Sequence, residues 1–275
     1  MDLYCVMGNP VEHSKSPWIH ARFAQLTGQD VRYEKRLVPV GGFAQAVRAF
    51  RDEGGKGCNV TVPFKFESPA IATTLTPRAQ LAQAGNTLRF DGDDVLGDNT
   101  DGVGLVSDIE RNAGIAIRGC DVLVVGAGGA AAGVLGPMIE AGPRRVVVAN
   151  RTVDKARALV ARHAPLAAQH RVEIASCEPG AIAGAFDIVV NATAASMTGS
   201  GVPVAAAVLK PHALAIDLMY GPAAQGFVAW ANENGATGRD GLGMLVEQAA
   251  EAFLLWRGVR PPSAPVLAEL RATLP

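Results

Sequence analysis

Cysteine is scarce in this chain, and long runs of one charge are absent. The 275 residues include four cysteines: Cys5, Cys58, Cys120 and Cys177, far apart and with no CxxC pair. A zinc site or a disulfide framework is therefore not expected, no metal is assigned, and buried thiols in a reducing compartment fit better. Lysine and arginine total 25 against 26 acidic residues, a formal charge of −1. With no basic run, nothing favours nucleic acid or an anionic membrane as a partner. No apolar stretch reaches the length of a membrane span, because glycine, proline or charge breaks each one. The N-terminus enters MDLYCVMG at once, so no signal peptide is expected and the protein reads as cytoplasmic. Trp18, Trp230 and Trp256 read as packing residues. What is plentiful is apolar side chain: 49% of the residues are hydrophobic. That suffices for one large domain or two modest ones and excludes a disordered chain.

The chain alternates strand and helix patterns. Leu3 to Met7 reads as a strand ended by Gly8-Asn9-Pro10, and Ser16-Pro17 as the start of a helix, with Ser16 as N-cap. Val31 to Val38 is a second strand. Phe43, Ala46, Val47 and Phe50 follow helical spacing, and GCNVTVPFK (57–65) begins as a third strand. Asp91-Gly92-Asp93-Asp94 is a hairpin turn signal between two short strands. After GDNTDG (97–102), residues 103–112 read as a helix leading into a second unit. There Val122 to Val125, Val146 to Ala149, residues 172–175, Phe186 to Asn191 and Leu214 to Asp217 read as strands. An Ala-rich helix follows the first of them and a helix over 153–163 the second. The tail is helical from Leu242 to Trp256 and again from Val266 to Leu270. The expectation is an α/β protein of two α/β domains: a mostly parallel first sheet, then a doubly wound nucleotide-binding fold.

Gly126-Ala127-Gly128-Gly129-Ala130-Ala131 fits G-x-G-x-x-A between a strand and a helix, the context that dinucleotide binding requires. The first glycine makes the tight turn, the second admits a pyrophosphate, and the small last residue packs helix on strand. The helix N-terminus then offers N–H groups to the phosphates. The end of the next strand distinguishes the cofactors, since a carboxylate there holds the ribose 2′-OH of NAD and an arginine accommodates a 2′-phosphate. Here stand Asn150, Arg151 and Thr152, with Lys155 one turn on, so NADP is favoured over NAD. Asp154 lies inside the helix start, where a carboxylate suits the dipole.

In the first unit, Ser14 and Ser16 precede a helix and could face an anion, although spacing alone favours a capping role for Ser16. Asn59, Thr61 and Lys65 lie along and past a short apolar strand. Lys65 and Asp101 could form an ion pair at a proton-transfer site. His13 and His20 have no metal-ligand partner at suitable spacing and read as structural.

GNPVEHSKSPWIH, GCNVTVPFK, GDNTDGVGL, GAGGAA, NRT, NAT, DLMYGP and DGLGMLVEQAAEAF follow one another in this order. In these motifs the chain resembles the NADP-dependent shikimate dehydrogenases of the bacterial aromatic-biosynthesis pathway over essentially its whole length. The resemblance implies a substrate domain of residues 1–102 plus 240–275 and a Rossmann-type NADP domain of residues 103–239, separated by a cleft. It implies reversible reduction of 3-dehydroshikimate to shikimate, with Lys65 and Asp101 catalytic. Ser14, Ser16, Asn59, Thr61, Asn86, Tyr220 and Gln248 match substrate contacts. Gly126, Ala127, Gly128, Gly129 and Ala130 match the glycine loop. Asn150, Arg151, Thr152 and Lys155 match the 2′-phosphate and adenosine site, and Leu218 and Gly241 positions near the nicotinamide. A monomer or homodimer is implied. The chain departs from the usual pattern at Ala194 to Met197, at Gly85, at Ala21 and after Tyr220. A quinate/shikimate dehydrogenase of broader specificity and a catalytically silent NADP-binding sensor remain as alternatives.

Overall fold

The computed structural model describes residues 1–193 and 201–274, so the departure at Ala194 to Met197 lies outside the described residues. The chain divides into two compact units. The first comprises Met1–Gly104 with Val246–Ala272, and the second Leu105–Leu245 with the tail from Thr273.

The first unit opens with β1 (Asp2–Gly8), α1 (Ser16–Thr27), β2 (Val31–Leu37), α2 (Phe43–Asp52) and β3 (Gly55–Val60). It continues with β4 (Thr74–Leu75), α3 (Pro77–Ala82), β5 (Thr87–Asp91) and β6 (Asp94–Asp98). The strand order is β2-β1-β3-β5-β6-β4. β1 runs parallel to β2 and β3, and β4 parallel to β6; β5 is antiparallel to β3 and β6. The antiparallel step follows from the β5–β6 hairpin, whose loop begins at Gly92 with φ +60°, a backbone state glycine enters at little cost. Phe43, Val47 and Phe50 lie on one face of α2 and are buried in a core with Cys5, Met7, Cys58, Val60 and Leu88.

α4 (Asp101–Ser107), continued by a π turn over Asp108–Asn112, carries the chain into the second unit. That unit holds β7 (Asp121–Val125), α5 (Gly129–Glu140), β8 (Arg145–Ala149), α6 (Val153–His170), β9 (Glu173–Cys177), β10 (Phe186–Asn191), β11 (Leu209–Asp217), α7 (Gln225–Glu233) and β12 (Thr237–Arg239). α8 (Leu242–Arg257) returns the chain to the first unit, and α9 (Ser263–Arg271) follows. The order β12-β11-β10-β7-β8-β9 is parallel throughout. This is the doubly wound dinucleotide fold, with its topological switch between β7 and β10.

Several expectations need correction. The third strand stops at Val60, so Thr61 and Val62 lie beyond it. Ser16 does not cap α1: it is the first helical residue, and its N–H donates to Ser14 Oγ at 3.3 Å. α6 runs through Pro165 to His170, because Leu159, His163 and Ala167 form a buried stripe whose packing outweighs the local cost of proline. α3, β4, α7 and β12 were not foreseen, although Thr76-Pro77 is a legible start: Thr76 Oγ1 accepts the Ala79 N–H at 3.4 Å. Cys5 and Cys58 are buried and face each other across β1 and β3, but Cys120 and Cys177 are only half-buried. Trp18 is 38% exposed. Among the described residues no helix is long and apolar enough to cross a membrane.

Candidate active site

The polar centre of the first unit assembles where β3, the start of β5, the turn after β6 and α8 meet. Lys65 stands on a short helical turn after Pro63, and Asp101 opens α4. The Lys65 ammonium donates to Asp101 Oδ2 at 2.6 Å, with the two side chains 15% and 6% exposed. The other carboxylate oxygen accepts from Asn86 Nδ2 at 2.9 Å. Asn86 Nδ2 also lies 3.0 Å from Thr100 Oγ1 and 3.2 Å from Gln248 Oε1. Its Oδ1 accepts the Thr100 N–H at 2.8 Å and the Thr87 hydroxyl at 2.9 Å. Thr100 Oγ1 in turn lies 3.2 Å from Gln248 Oε1. The side chains expected at 65, 86, 101 and 248 therefore form one buried network, and Thr100 joins it unforeseen.

Asn59 belongs to the same network in a different way. It is buried; its amide donates to Asn86 O at 3.2 Å and Thr87 Oγ1 at 3.0 Å, and its Oδ1 accepts the Tyr33 hydroxyl at 2.7 Å. Its amide protons are thus taken up by the protein, and Asn59 holds the strand ends that carry Asn86. Tyr33 is a second residue that sequence reasoning missed. Burial raises its phenol well above the ordinary range, the Cys5 and Cys58 thiols add to this, and the neighbouring Ser16 hydroxyl pulls the other way. Ser14 and Ser16 stand at the start of α1. The Thr61 hydroxyl has no hydrogen-bond partner among the described residues, while the Thr61 N–H donates to Met7 O at 2.9 Å. Tyr220 lies in the second unit, just past β11.

In the second unit the glycine loop joins β7 to α5. Gly126 has φ +116°, and a Cβ there would meet Ala192 O at 2.9 Å, so only glycine makes this turn. Gly128 is the N-cap of α5 in extended conformation, and no side chain caps the helix. Among the described residues, a Cβ built on Gly128 meets nothing within 4 Å. The helix start therefore presents backbone N–H groups that no described side chain covers, which fits a pyrophosphate. Gly129 and Ala130 open the helix, Ala127 precedes Gly128 in the loop, and Ala131 is fully buried.

At the end of β8, Asn150 Nδ2 donates to Thr152 O at 2.8 Å. Thr152 is the N-cap of α6, yet its side chain does not cap the helix. Arg151 and Lys155 are exposed and make no ion pair among the described residues. Asp154 pairs instead with Arg157 at 3.1 Å. Two cations, and a Thr152 hydroxyl with no hydrogen-bond partner among the described residues, next to the adenosine end of this fold suit a 2′-phosphate. Leu218 and Gly241 come together: Gly241 N–H donates to Met219 O at 2.8 Å, and a Cβ on Gly241 would stand 2.4 Å from Leu218 O. Behind them Asp217, fully buried, accepts from the Met219 N–H at 2.8 Å and from Asn191 Nδ2 at 2.9 Å.

Comparison with known proteins agrees with this division of labour. Residues 6–88 match the shikimate dehydrogenase substrate binding domain, residues 109–217 the shikimate / quinate 5-dehydrogenase model, and residues 241–271 the shikimate 5′-dehydrogenase C-terminal domain. A shikimate dehydrogenase (NADP(+)) from Acidovorax sp. (strain JS42) is 64% identical over 273 residues, covering 99% of this chain and 97% of its own. One from Methylibium petroleiphilum is 61% identical, covering 99% and 95%. Among solved structures, an Ael1 enzyme from Pseudomonas putida superposes with a TM-score of 0.90 at 45% identity, covering 100% of this chain and 99% of its own. A shikimate 5-dehydrogenase from Thermus thermophilus in complex with shikimate gives 0.84 at 30%, covering 99% and 98%.

Proposed function

Because the chain belongs to the shikimate dehydrogenase family, we propose that it performs the NADP-dependent, reversible reduction of 3-dehydroshikimate to shikimate, with the proton handled by Lys65 and Asp101. It is an NADP(H)-using oxidoreductase of the shikimate pathway. In this reading the first unit binds the substrate and the second the cofactor. The observation that carries the mechanism is the Lys65–Asp101 pair at 2.6 Å, set among Asn86, Thr100 and Gln248.

The chemistry needs a hydride at the C3 carbonyl carbon and a proton at its oxygen. Bound NADPH supplies the hydride. Lys65 gives the proton to the oxygen as the alcohol forms and takes it back in the reverse direction. Asp101 Oδ2 holds the ammonium in place, while Asn86 fixes Oδ1, so the carboxylate cannot rotate away from the lysine. Gln248 and the Thr61 hydroxyl offer further hydrogen bonds to the ring hydroxyls, and Ser14 and Ser16 hold the substrate carboxylate at the start of α1. On the cofactor side, the α5 N-terminus receives the pyrophosphate and Arg151, Lys155 and Thr152 receive the 2′-phosphate.

Replacing Lys65 by alanine tests the mechanism. Turnover of shikimate falls by about 10²–10⁴-fold, the usual range for a general acid–base group, while NADP⁺ binding is retained. A folded Lys65→Ala protein with near-normal turnover would remove Lys65 from the chemistry.

A further inference from the structure

Asp101 and Gln248 come from segments far apart in the chain; Asn86 meets both side chains directly, and a further side chain, outside that network, joins the segments that carry them. Arg78, in the first turn of α3, reaches in two directions. Its Nε donates to Asp98 Oδ1 at 2.7 Å and its Nη2 to Asp98 Oδ2 at 2.5 Å. Its Nη1 and Nη2 each lie 3.2 Å from Glu251 Oε1. Asp98 is fully buried at the end of β6 and also accepts the Thr76 hydroxyl at 2.5 Å and the Asn99 N–H at 2.7 Å. Asn99, also fully buried, is anchored through its amide to Ala84 O at 2.9 Å, and its Oδ1 accepts the Asp101 N–H at 3.1 Å. An unbroken line of hydrogen bonds thus runs from Arg78 through Asp98 and Asn99 to the backbone of Asp101. On the other side, Glu251 stands three residues after Gln248 in α8, a spacing that shares one helix face. Glu251 also pairs with Arg260.

We propose that Arg78 is a positioning residue for the reaction: its forked guanidinium sets Asp101, and with it Lys65, in register with Gln248. The proposal rests on the roles assigned to Lys65, Asp101 and Gln248 above. Arginine is suited to this task because its planar fork engages both oxygens of Asp98 and still reaches Glu251, which a lysine ammonium cannot do. Burial alone would raise the Asp98 carboxyl; Arg78, Thr76 and the Asn99 N–H outweigh it and hold that carboxyl below the usual range, so Asp98 is charged under the fork. An ion pair buried to this degree adds little net stability over an apolar contact. What the fork supplies is geometry.

The test is Arg78→Lys, which keeps the cation and loses the fork. A displacement of about 1 Å at reacting groups costs on the order of 10²-fold in rate. The expected result is a kcat for shikimate lowered by about 10- to 100-fold and a raised KM for shikimate. The Kd for NADPH, followed by its fluorescence, stays at its wild-type value, because the cofactor residues belong to the second unit. Guanidinium at millimolar concentration restores activity to Arg78→Ala without moving its thermal midpoint, an effect that a purely structural loss does not show. Glu251→Gln loosens only the α8 arm and raises KM more than it lowers kcat. Wild-type kcat and KM in Arg78→Lys, alongside an inactive Lys65→Ala, would overturn the proposal and leave the reaction assignment standing. Turnover by Lys65→Ala would overturn the assignment itself. Should Arg78→Lys fail to fold, wild-type KM in Glu251→Gln would overturn the proposal on its own.

Discussion

Acidification should destabilise this protein through a histidine buried in the core of the first unit. His20 is fully buried in the first unit, stacked on Tyr33 with ring centroids 4.3 Å apart and planes 5° from parallel. Phe23, Phe253 and Trp256 surround it. Neither ring nitrogen has a hydrogen-bond partner among the described residues. Burial lowers its pKa from 6.5 to about 3, with the neighbouring Asn59 amide pulling the other way. The folded state therefore keeps His20 neutral where the unfolded chain already binds a proton. The unfolded state binds more protons between these values, so the His20 contribution to stability is intact above pH 6.5 and is lost as pH falls toward 3. Each pH unit in that window costs about 1.4 kcal/mol, so at about pH 5 the His20 contribution has fallen by about 2 kcal/mol. Urea unfolding at about pH 7.5 and pH 5, followed by far-UV circular dichroism, measures this in wild type and in His20→Phe. The phenyl ring keeps the stack and cannot be protonated; any packing penalty from its larger size is the same at both pH values and cancels. The wild-type protein loses about 2 kcal/mol more than the variant. Equal losses in the two proteins would refute the reasoning.

Two further outcomes follow from the second unit. Arg151→Gln removes the partner proposed for the 2′-phosphate and is expected to raise KM for NADP⁺ by about 10- to 100-fold, matching the ~1.5–3 kcal/mol typical of hydrogen bonds to charged groups; KM for NAD⁺ is left unmoved, and initial rates with both cofactors check this. Gly243→Ala places a Cβ 1.8 Å from Asp108 Oδ1, and Asp108 is fully buried and held by Arg239 and Asn112, each at 3.0 Å. The clashing oxygen is the one that Arg239 and Asn112 hold, so moving it breaks those contacts and the substitution costs about 1–3 kcal/mol, read as a lowered thermal midpoint.

Much of the architecture is legible because the two hydrophobic periods differ. The all-apolar runs at 122–125 and 188–190 mark buried parallel strands, and Phe43, Val47 and Phe50 mark a helix face. Legibility fails where tertiary packing overrides a local signal, as when α6 passes through Pro165, and where elements are too short to show a period, as in β4 and β12. The glycine loop and the cations after β8 can be read locally, since neighbouring residues build that site. The proposed catalytic pair is harder to read, because Lys65 and Asp101 lie 36 residues apart and either alone reads as a surface charge. Their place in polar turns of one domain allows an ion pair, and the resemblance is what singles that pair out. Tyr33, Thr100 and Arg78 escaped notice for a related reason. Their partners are distant in sequence — Asn59 is 26 residues from Tyr33, Gln248 is 148 from Thr100 and Glu251 is 173 from Arg78 — and no periodicity announces such a contact.

The most direct test of the account is the initial rate of the purified protein with shikimate or quinate, each paired with NADP⁺ or NAD⁺, followed by the absorbance of reduced nicotinamide. Fast turnover is expected with shikimate and NADP⁺ alone. Comparable rates with NAD⁺ would contradict the role given to Arg151, and comparable rates with quinate would place the protein in the broader quinate/shikimate class. A folded protein that binds NADP⁺ and turns over neither substrate would contradict the catalytic role of Lys65 and Asp101.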